Sequence, residues 1–523
     1  MSFPTRTKSA VNVQFRAAQL GFVVAAVFGV SFIACHLRNF VLPNVPVLFW
    51  SDQMLYATNG LRINSGQMPY RDYFEFLTPG TDLVYAQLFR SLGAMLWIPN
   101  LLMDFLAATS VSLITLAGAR VLRGPAIALP AVFALGFGLY GGLDATHHWF
   151  STVFALAAMV ALLYGTEMRH IICAGALCGV MASFTQSKGA AVTLGFVIYL
   201  LLSSNQFRES ASARAKKCLT LCASALANFL AINIYFMFKL GIAEWCRWIV
   251  VFPFRYYPTM PGQSWRSPAL EFHVYPGLLK LLCASYLYLD VPLTYLIFLL
   301  IMRRRCAKEP NLPWNRLLLI AITGIAMFLS VAPSLSLMRA SAASFPAAIL
   351  LAWLLQQRAR SLRFVTAIAA LLSVACALQL ILNTQREHWN LLDLPAGLTA
   401  IREPAKYELY LWLKDHTHPG QAYLGIAPLS YPLGLWCPAP IQAPGPWEYY
   451  RPEHINRSIA ALESNRIPLL VLRTDTQLQN TPGYEPEHLR AFHDYVEKHY
   501  RVTRRFATGD EVWERIPDQP SLP

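Results

Sequence analysis

From Ala17 to Leu37 the chain carries about 20 mostly apolar residues, the length at which an α-helix crosses a hydrocarbon core. Comparable runs recur at about 97–119, 126–143, 148–165, 171–186, 189–202, 218–238, 283–302, 316–335, 343–357 and 364–382. Inside a bilayer, only helices and closed barrels satisfy their own backbone polar groups. The reading is an α-helical polytopic membrane protein of about 11 transmembrane helices. Pro130, Pro333 and Pro346 interrupt runs, so that count carries a margin of roughly one or two.

Composition excludes the other classes. Of 523 residues, 55% are hydrophobic and only 14% charged, against roughly 25% charged in ordinary chains. So few charges do not cover a soluble surface, and so much apolar content excludes disorder. The net charge of +14 is read as a topology signal, because no nucleic-acid-binding motif accompanies it. With the N-terminus inside, the cytoplasmic loops hold Arg120/Arg123, Arg169, Arg208/Arg214/Lys216/Lys217, Arg303/Arg304/Arg305/Lys308 and Arg358/Arg360/Arg363. The first run reads as a retained signal anchor. An odd helix count places the C-terminus outside. The ten cysteines include no CxxC, so neither zinc nor dithiol chemistry is indicated. Only Cys246 and Cys437 are placed for a disulfide.

Two domains are expected. A transmembrane domain covers 1–382, with a first outer loop at about 39–96. A small outer-face α/β domain covers 383–523. In the tail, Glu403–His416, Pro452–Asn465 and Pro486–His499 read as helices and Ile467–Arg473 as a strand. Tyr500–Phe506, a Gly509–Asp510 turn and Glu511–Ile516 read as a hairpin. Pro428–Pro452 reads as an irregular loop. There is no P-loop, GxGxxG or internal repeat, so an ATP-driven pump is unsupported.

The first outer loop is the informative stretch: FWSDQMLYATNGLRINSGQMPYRDYFEFLTPGTDLVYAQLFRSLG. Met54–Ile63 and Thr81–Leu92 are amphipathic and are expected to lie in the membrane interface. Gly66 and Pro69 break the chain between them, and Pro79–Gly80 starts the second. A spanning helix, an outward acid, a short helix, then G-x-x-P-Y-R-D-Y-F and P-G together resemble the polytopic GT-C glycosyltransferases. The resemblance is to the bacterial branch near the protein O-mannosyltransferases and the lipid A aminoarabinose transferase. The Gly-rich helix before Thr185-Gln186-Ser187-Lys188 is similar to a stretch of that family, as are IAALESNRIPLLVLR and YVEKHYRVTRRF…VWERI in the tail.

The resemblance implies a polyprenyl-phosphate-linked sugar as donor. It implies transfer at the outer face of the inner (plasma) membrane to a lipid, polysaccharide or protein acceptor, in cell-envelope glycan synthesis or modification. A carboxylate takes the proton of the acceptor hydroxyl, and basic side chains stabilise the leaving phosphate. The catalytic candidates are Asp52 and Asp144. The substrate-binding candidates are Asp72, Glu75, His147, His148, Lys188, Arg255 and Arg339. No cofactor is required, and a divalent metal is left open.

Each candidate has a plainer reading. Asp52 also suits a cap on the Met54 helix. Asp72 and Glu75 share a face if helical, and equally suit a solvated face paired with Arg71. Asp144, His147 and His148 suit a polar active-site wall, a metal site or an interfacial loop. Adjacent histidines on a helix point about 100° apart and rarely chelate together. Lys188 suits a lipid phosphate or a snorkelling lysine. Arg247, Arg255 and Arg266 lie among aromatics that suit sugar contacts or an interfacial belt. Asp104, inside the second span, pairs internally or marks a cavity. The competing function is a transporter or flippase of a lipid-linked or polar substrate, although such proteins usually show paired halves.

Overall fold

The computed structural model describes residues 6–207, 210–255, 277–332, 335–357, 361–442, 451–473 and 487–517. Arg208, Arg266, Pro333, Arg358 and Arg360 lie outside the described residues. So do parts of the 239–282 outer loop and of Pro428–Pro452.

Helices form within every expected apolar run. Eight helices are long and apolar enough to cross a membrane, and the pair Leu337–Ala343 and Phe345–Gln356, bent by 61°, makes a ninth if counted as one span. Gly124–Tyr140 and Met168–Ala182 are shorter apolar helices. Among the described residues, length and composition therefore support eight or nine spans, and the expected count of about 11 is not confirmed. Proline and glycine account for much of the difference. In Gly124–Tyr140 only Leu129–Gly136 is α-helical, between two 3-10 segments, with a proline opening each of the first two. Pro346 lies in the first turn of Phe345–Gln356, where its missing N–H is not needed.

The residues form two compact units. The first comprises Met1–Asn39, Leu101–Ile232 and Trp265–Gln385; the second comprises Phe40–Asn100, Asn233–Ser264 and Arg386–Pro523.

In the first unit, small residues let helices approach closely. Gly175 and Gly179 stand one turn apart on Met168–Ala182 and face Ala211–Leu240. A Cβ on Gly179 would meet the Ala225 carbonyl oxygen at 2.2 Å, and one on Gly175 the Leu221 carbonyl oxygen at 2.5 Å. The Ser224 hydroxyl donates to the Ile172 carbonyl (2.8 Å) across the same seam. In lipid, such packing takes the place of the hydrophobic effect between helices. Gly179→Val is expected to force the seam apart at a cost of about 1–3 kcal/mol. Its heat-denaturation midpoint in detergent should fall, and an unchanged midpoint would refute the seam.

The second unit holds the tail and the first outer loop. The tail sheet has the strand order Leu424–Gly425, Leu469–Arg473, Asp510–Arg515, Tyr500–Arg505; the first pair is parallel and the rest antiparallel. Helices Pro452–Ser464 and Glu487–His499 contribute Ile455, Leu462, Phe492 and Val496 to one core with Leu470 and Leu472. The expected hairpin turns at Gly509, whose φ of 81° suits glycine. Sequence reading lacked the hairpin Asn390–Leu394/Gly397–Ile401 and the short buried helix Ser430–Leu433. Outer-loop helices Asp52–Asn64 and Gly80–Leu92 form where expected. Their inner faces bury polar Asn59, Arg62 and Asp82 beside Met54, Tyr85 and Phe89, so they are not simple apolar-faced interfacial helices.

All ten cysteines are free. The Cys246–Cys437 pairing is therefore corrected. Cys437 is buried in the tail core, with its thiol directed at the Ala439 and Ile441 carbonyls (3.7 and 3.8 Å).

Candidate active site

In the second unit, the motif G-x-x-P-Y-R-D-Y-F folds as a tight turn. Tyr70 takes a φ of 69°, a conformation a bulky residue rarely adopts and one that clusters at functional sites. The Tyr70 hydroxyl donates to the Leu77 carbonyl (2.6 Å), and Asp72 accepts the Met68 N–H (2.7 Å). Asp72 also takes a two-pronged bond from Arg71 (2.9 and 2.6 Å). These bonds lower its pKa against partial desolvation. Because 72–75 is not helical, Asp72 and Glu75 do not share a helix face. Asp72 staples the turn, and Glu75 points inward.

Glu75 joins a buried nest. Asn59 Nδ2 lies 3.4 Å from Glu75 Oε2 and 3.3 and 3.2 Å from the two oxygens of Asp82. The Tyr73 hydroxyl donates to Asp82 (3.1 Å), and Gln442 from the tail donates to Asn59 Oδ1 (2.9 Å). The backbone N–H groups of Phe76 and Leu77 donate to Glu75 Oε1 (2.9 Å each). Burial raises the Glu75 carboxyl to about 7 against those two bonds, and the charge of Asp52 adds to the rise. Burial, then the charge of Glu75, lifts Asp82 well above the usual carboxylate range. Two acids this close hold a proton between them near neutrality. Arg62 closes the nest: its guanidinium lies 4.7 Å over the Tyr73 ring and donates to the Ala439 carbonyl (2.8 Å).

Asp52 is exposed, in the first turn of its helix. Ser51, the cap residue, makes no side-chain cap bond. An acid at this position complements the helix dipole and is open to a substrate. Arg255 ends the short helix Phe252–Arg255 and is exposed.

In the first unit, Asp144, His147, His148, Thr185 and Lys188 are all buried. His147 opens the helix His147–Tyr164, and its Nδ1 lies 2.8 Å from Thr185 Oγ1. The rings of His147 and His148 lie against each other, centroids 3.8 Å apart and tilted by 38°. His148 Nδ1 has no hydrogen-bond partner among the described residues. Lys188, in the first turn of Gln186–Phe207, has 0% exposure. It donates to the His148 carbonyl (3.0 Å) and the Thr152 hydroxyl (3.2 Å). An ammonium has three donors; among the described residues the third finds no acceptor, and no carboxylate pairs with the charge. Lys188 therefore does not snorkel. Two helices, His147–Tyr164 and Gln186–Phe207, begin here, and the positive ends of their dipoles lie at the cluster. The Thr152 hydroxyl also lies 2.7 Å from the Ala342 carbonyl, which joins the helix carrying Arg339 to the cluster. Buried positive charge and helix N-termini suit an anion. Asp104 pairs internally, accepting from Asn39 (2.7 Å) with His36 Nδ1 at 3.2 Å. Among the described residues, no three His, Cys, Asp or Glu converge to hold a metal ion.

Sequence reading did not single out Asn59, Tyr73, Asp82 or Gln442 as site residues. One signal existed for Asn59: Thr58-Asn59-Gly60 are three poor helix formers in mid-helix.

The described fold has solved counterparts. ArnT from Cupriavidus metallidurans bound to undecaprenyl phosphate aligns with a TM-score of 0.59 at 13% identity, over 96% of this chain and 98% of that one. Its apo state gives 0.58 at 14%, over 97% and 98%. The archaeal oligosaccharyltransferase AglB from Archaeoglobus fulgidus, in complex with an inhibitory peptide and a dolichol-phosphate, gives 0.54 at 12%, over 96% and 75%. No protein-family model matches the sequence, and no curated protein matches it. The chain thus has the polytopic membrane fold of the GT-C glycosyltransferases.

Proposed function

We propose that this protein is a membrane glycosyltransferase that moves a sugar from a polyprenyl-phosphate donor to an acceptor hydroxyl. The observation that carries this reading is Lys188, a buried ammonium with no anionic partner among the described residues, set where helix N-termini meet. Such a charge is costly to bury and is satisfied by a phosphate. The fold shared with ArnT bound to undecaprenyl phosphate supports the same donor class.

In the reaction, the acceptor oxygen attacks the anomeric carbon and the bond from that carbon to the phosphate oxygen breaks. Polyprenyl phosphate leaves, its charge met by Lys188, the helix N-termini and Arg339. The acceptor proton passes to Asp52. Behind it, the Glu75–Asp82 nest fixes the loop and holds its own proton. We place the N-terminus in the cytoplasm, and the acceptor and the tail on the outer face of the inner membrane, in cell-envelope glycan synthesis or modification.

The test is a transfer assay on the purified protein in liposomes, with a panel of polyprenyl-phosphate hexoses and pentoses and envelope glycans, lipids and peptides as acceptors. Sugar transfer from at least one donor is expected. Movement of intact lipid-linked sugar across the bilayer without transfer would favour a flippase instead. Running the assay with and without a chelator settles whether a divalent ion takes part.

A further inference from the structure

The tail holds a cleft of ≈ 500 Å³ between the helix Glu487–His499 and the sheet. Glu511 and Trp513 stand two apart on one strand and so share a face. His493 and Glu497 face them from one side of the helix, and Arg505 closes the end. Glu511 is 5% exposed, and it accepts from Arg505 Nε (2.7 Å). The buried indole N–H of Trp513 has no partner among the described residues. A buried donor without a partner costs stability, and the Trp513 ring lines the cleft. Two carboxylates outweigh one guanidinium here, and burial keeps His493 on its neutral side. That balance disfavours a phosphate or an acidic glycan. An aromatic ring beside hydrogen-bonding acids suits a ligand with an apolar face and a rim of hydroxyls.

We propose that this cleft binds a neutral saccharide and docks the acceptor glycan. The volume lies in the range of small-ligand sites, roughly 300–1,000 Å³. The assignment as an acceptor rests on the proposed transfer reaction; the binding itself does not. The test uses the intact detergent-purified protein without donor, titrated with neutral disaccharides of hexoses, N-acetylhexosamines and pentoses. The parent is expected to bind at least one of them, with Trp513→Ala about tenfold or more weaker. Trp513→Phe, which keeps an aromatic ring against the core but removes the N–H and the five-membered part of the indole, should fall between. Absence of saccharide binding by the folded parent, or equal binding by parent and Trp513→Ala, overturns the site. In the transfer assay, Trp513→Ala should raise the acceptor KM and leave kcat unchanged. An unchanged KM in an active enzyme removes the cleft and keeps the transferase. Saccharide binding through Trp513 with no transfer keeps the cleft and removes the transferase.

Discussion

Replacing Lys188 by Met is expected to lower sugar transfer by about 10²–10³-fold, the usual loss when one donor to a developing oxyanion is removed. The protein should nonetheless be at least as heat-stable as the parent. The reasoning is local. Lys188 is fully buried, and its two acceptors do not depend on it. The His148 carbonyl also accepts from the Ser151 hydroxyl (3.0 Å), and the Thr152 hydroxyl retains the Ala342 carbonyl (2.7 Å). Methionine has nearly the same length, so no cavity opens. Removing an uncompensated buried charge from an apolar setting is neutral or stabilising. A structural lysine would behave in the opposite way, with activity lost only as folding is lost. Transfer kinetics and thermal denaturation on one preparation separate the two. A lower melting midpoint with proportional loss of activity would remove the phosphate role.

The spans were legible because a bilayer imposes both a length and a composition on a helix. The number of crossings was not, because proline and glycine shorten Gly124–Tyr140 and bend the pair at Ser344 without leaving an apolar gap. In the tail, the Tyr500–Arg505/Asp510–Arg515 hairpin was legible from β-branched residues and Gly509. The Asn390–Leu394/Gly397–Ile401 hairpin was not, because it turns through Pro395-Ala396 and not a primed-turn pair.

At the candidate site, residue types were more legible than their partners. Asp144, His147, His148 and Lys188 were named from the sequence, and the first unit buries them all. The nest was half legible. Glu75 stood out inside the motif, while Asp82 reads as an ordinary first-turn acid. Gln442 lies 383 residues from Asn59, and no local pattern encodes a bond over that separation. Asp72 is held in the turn for a local reason. Its neighbour Arg71 and the Met68 N–H occupy both carboxylate oxygens.

Asp52→Asn is expected to reduce transfer at least about a hundredfold, the scale of a lost general base, with donor binding retained. The competing base is Glu75, and pH separates them. With its carboxyl raised to about 7, a Glu75 base would give a rate that climbs with pH around that midpoint, and Glu75→Gln would abolish it. With an Asp52 base, transfer survives in Glu75→Gln, and that substitution acts mainly on stability. The sign follows from proton binding. Between its ordinary value near 4.5 and about 7, Glu75 is protonated in the folded chain and ionised in the unfolded one. The stability this proton confers is fully present below about 4.5 and is lost as pH rises through about 7. At about 1.4 kcal/mol per pH unit, the swing is of order 3 kcal/mol. Glu75→Gln should flatten that part of the curve of melting midpoint against pH. Asp52→Asn should shift it to lower pH, because it removes one of the causes of the rise. A midpoint unmoved by Asp52→Asn would separate the two acids electrostatically and leave Asp52 no part in the nest.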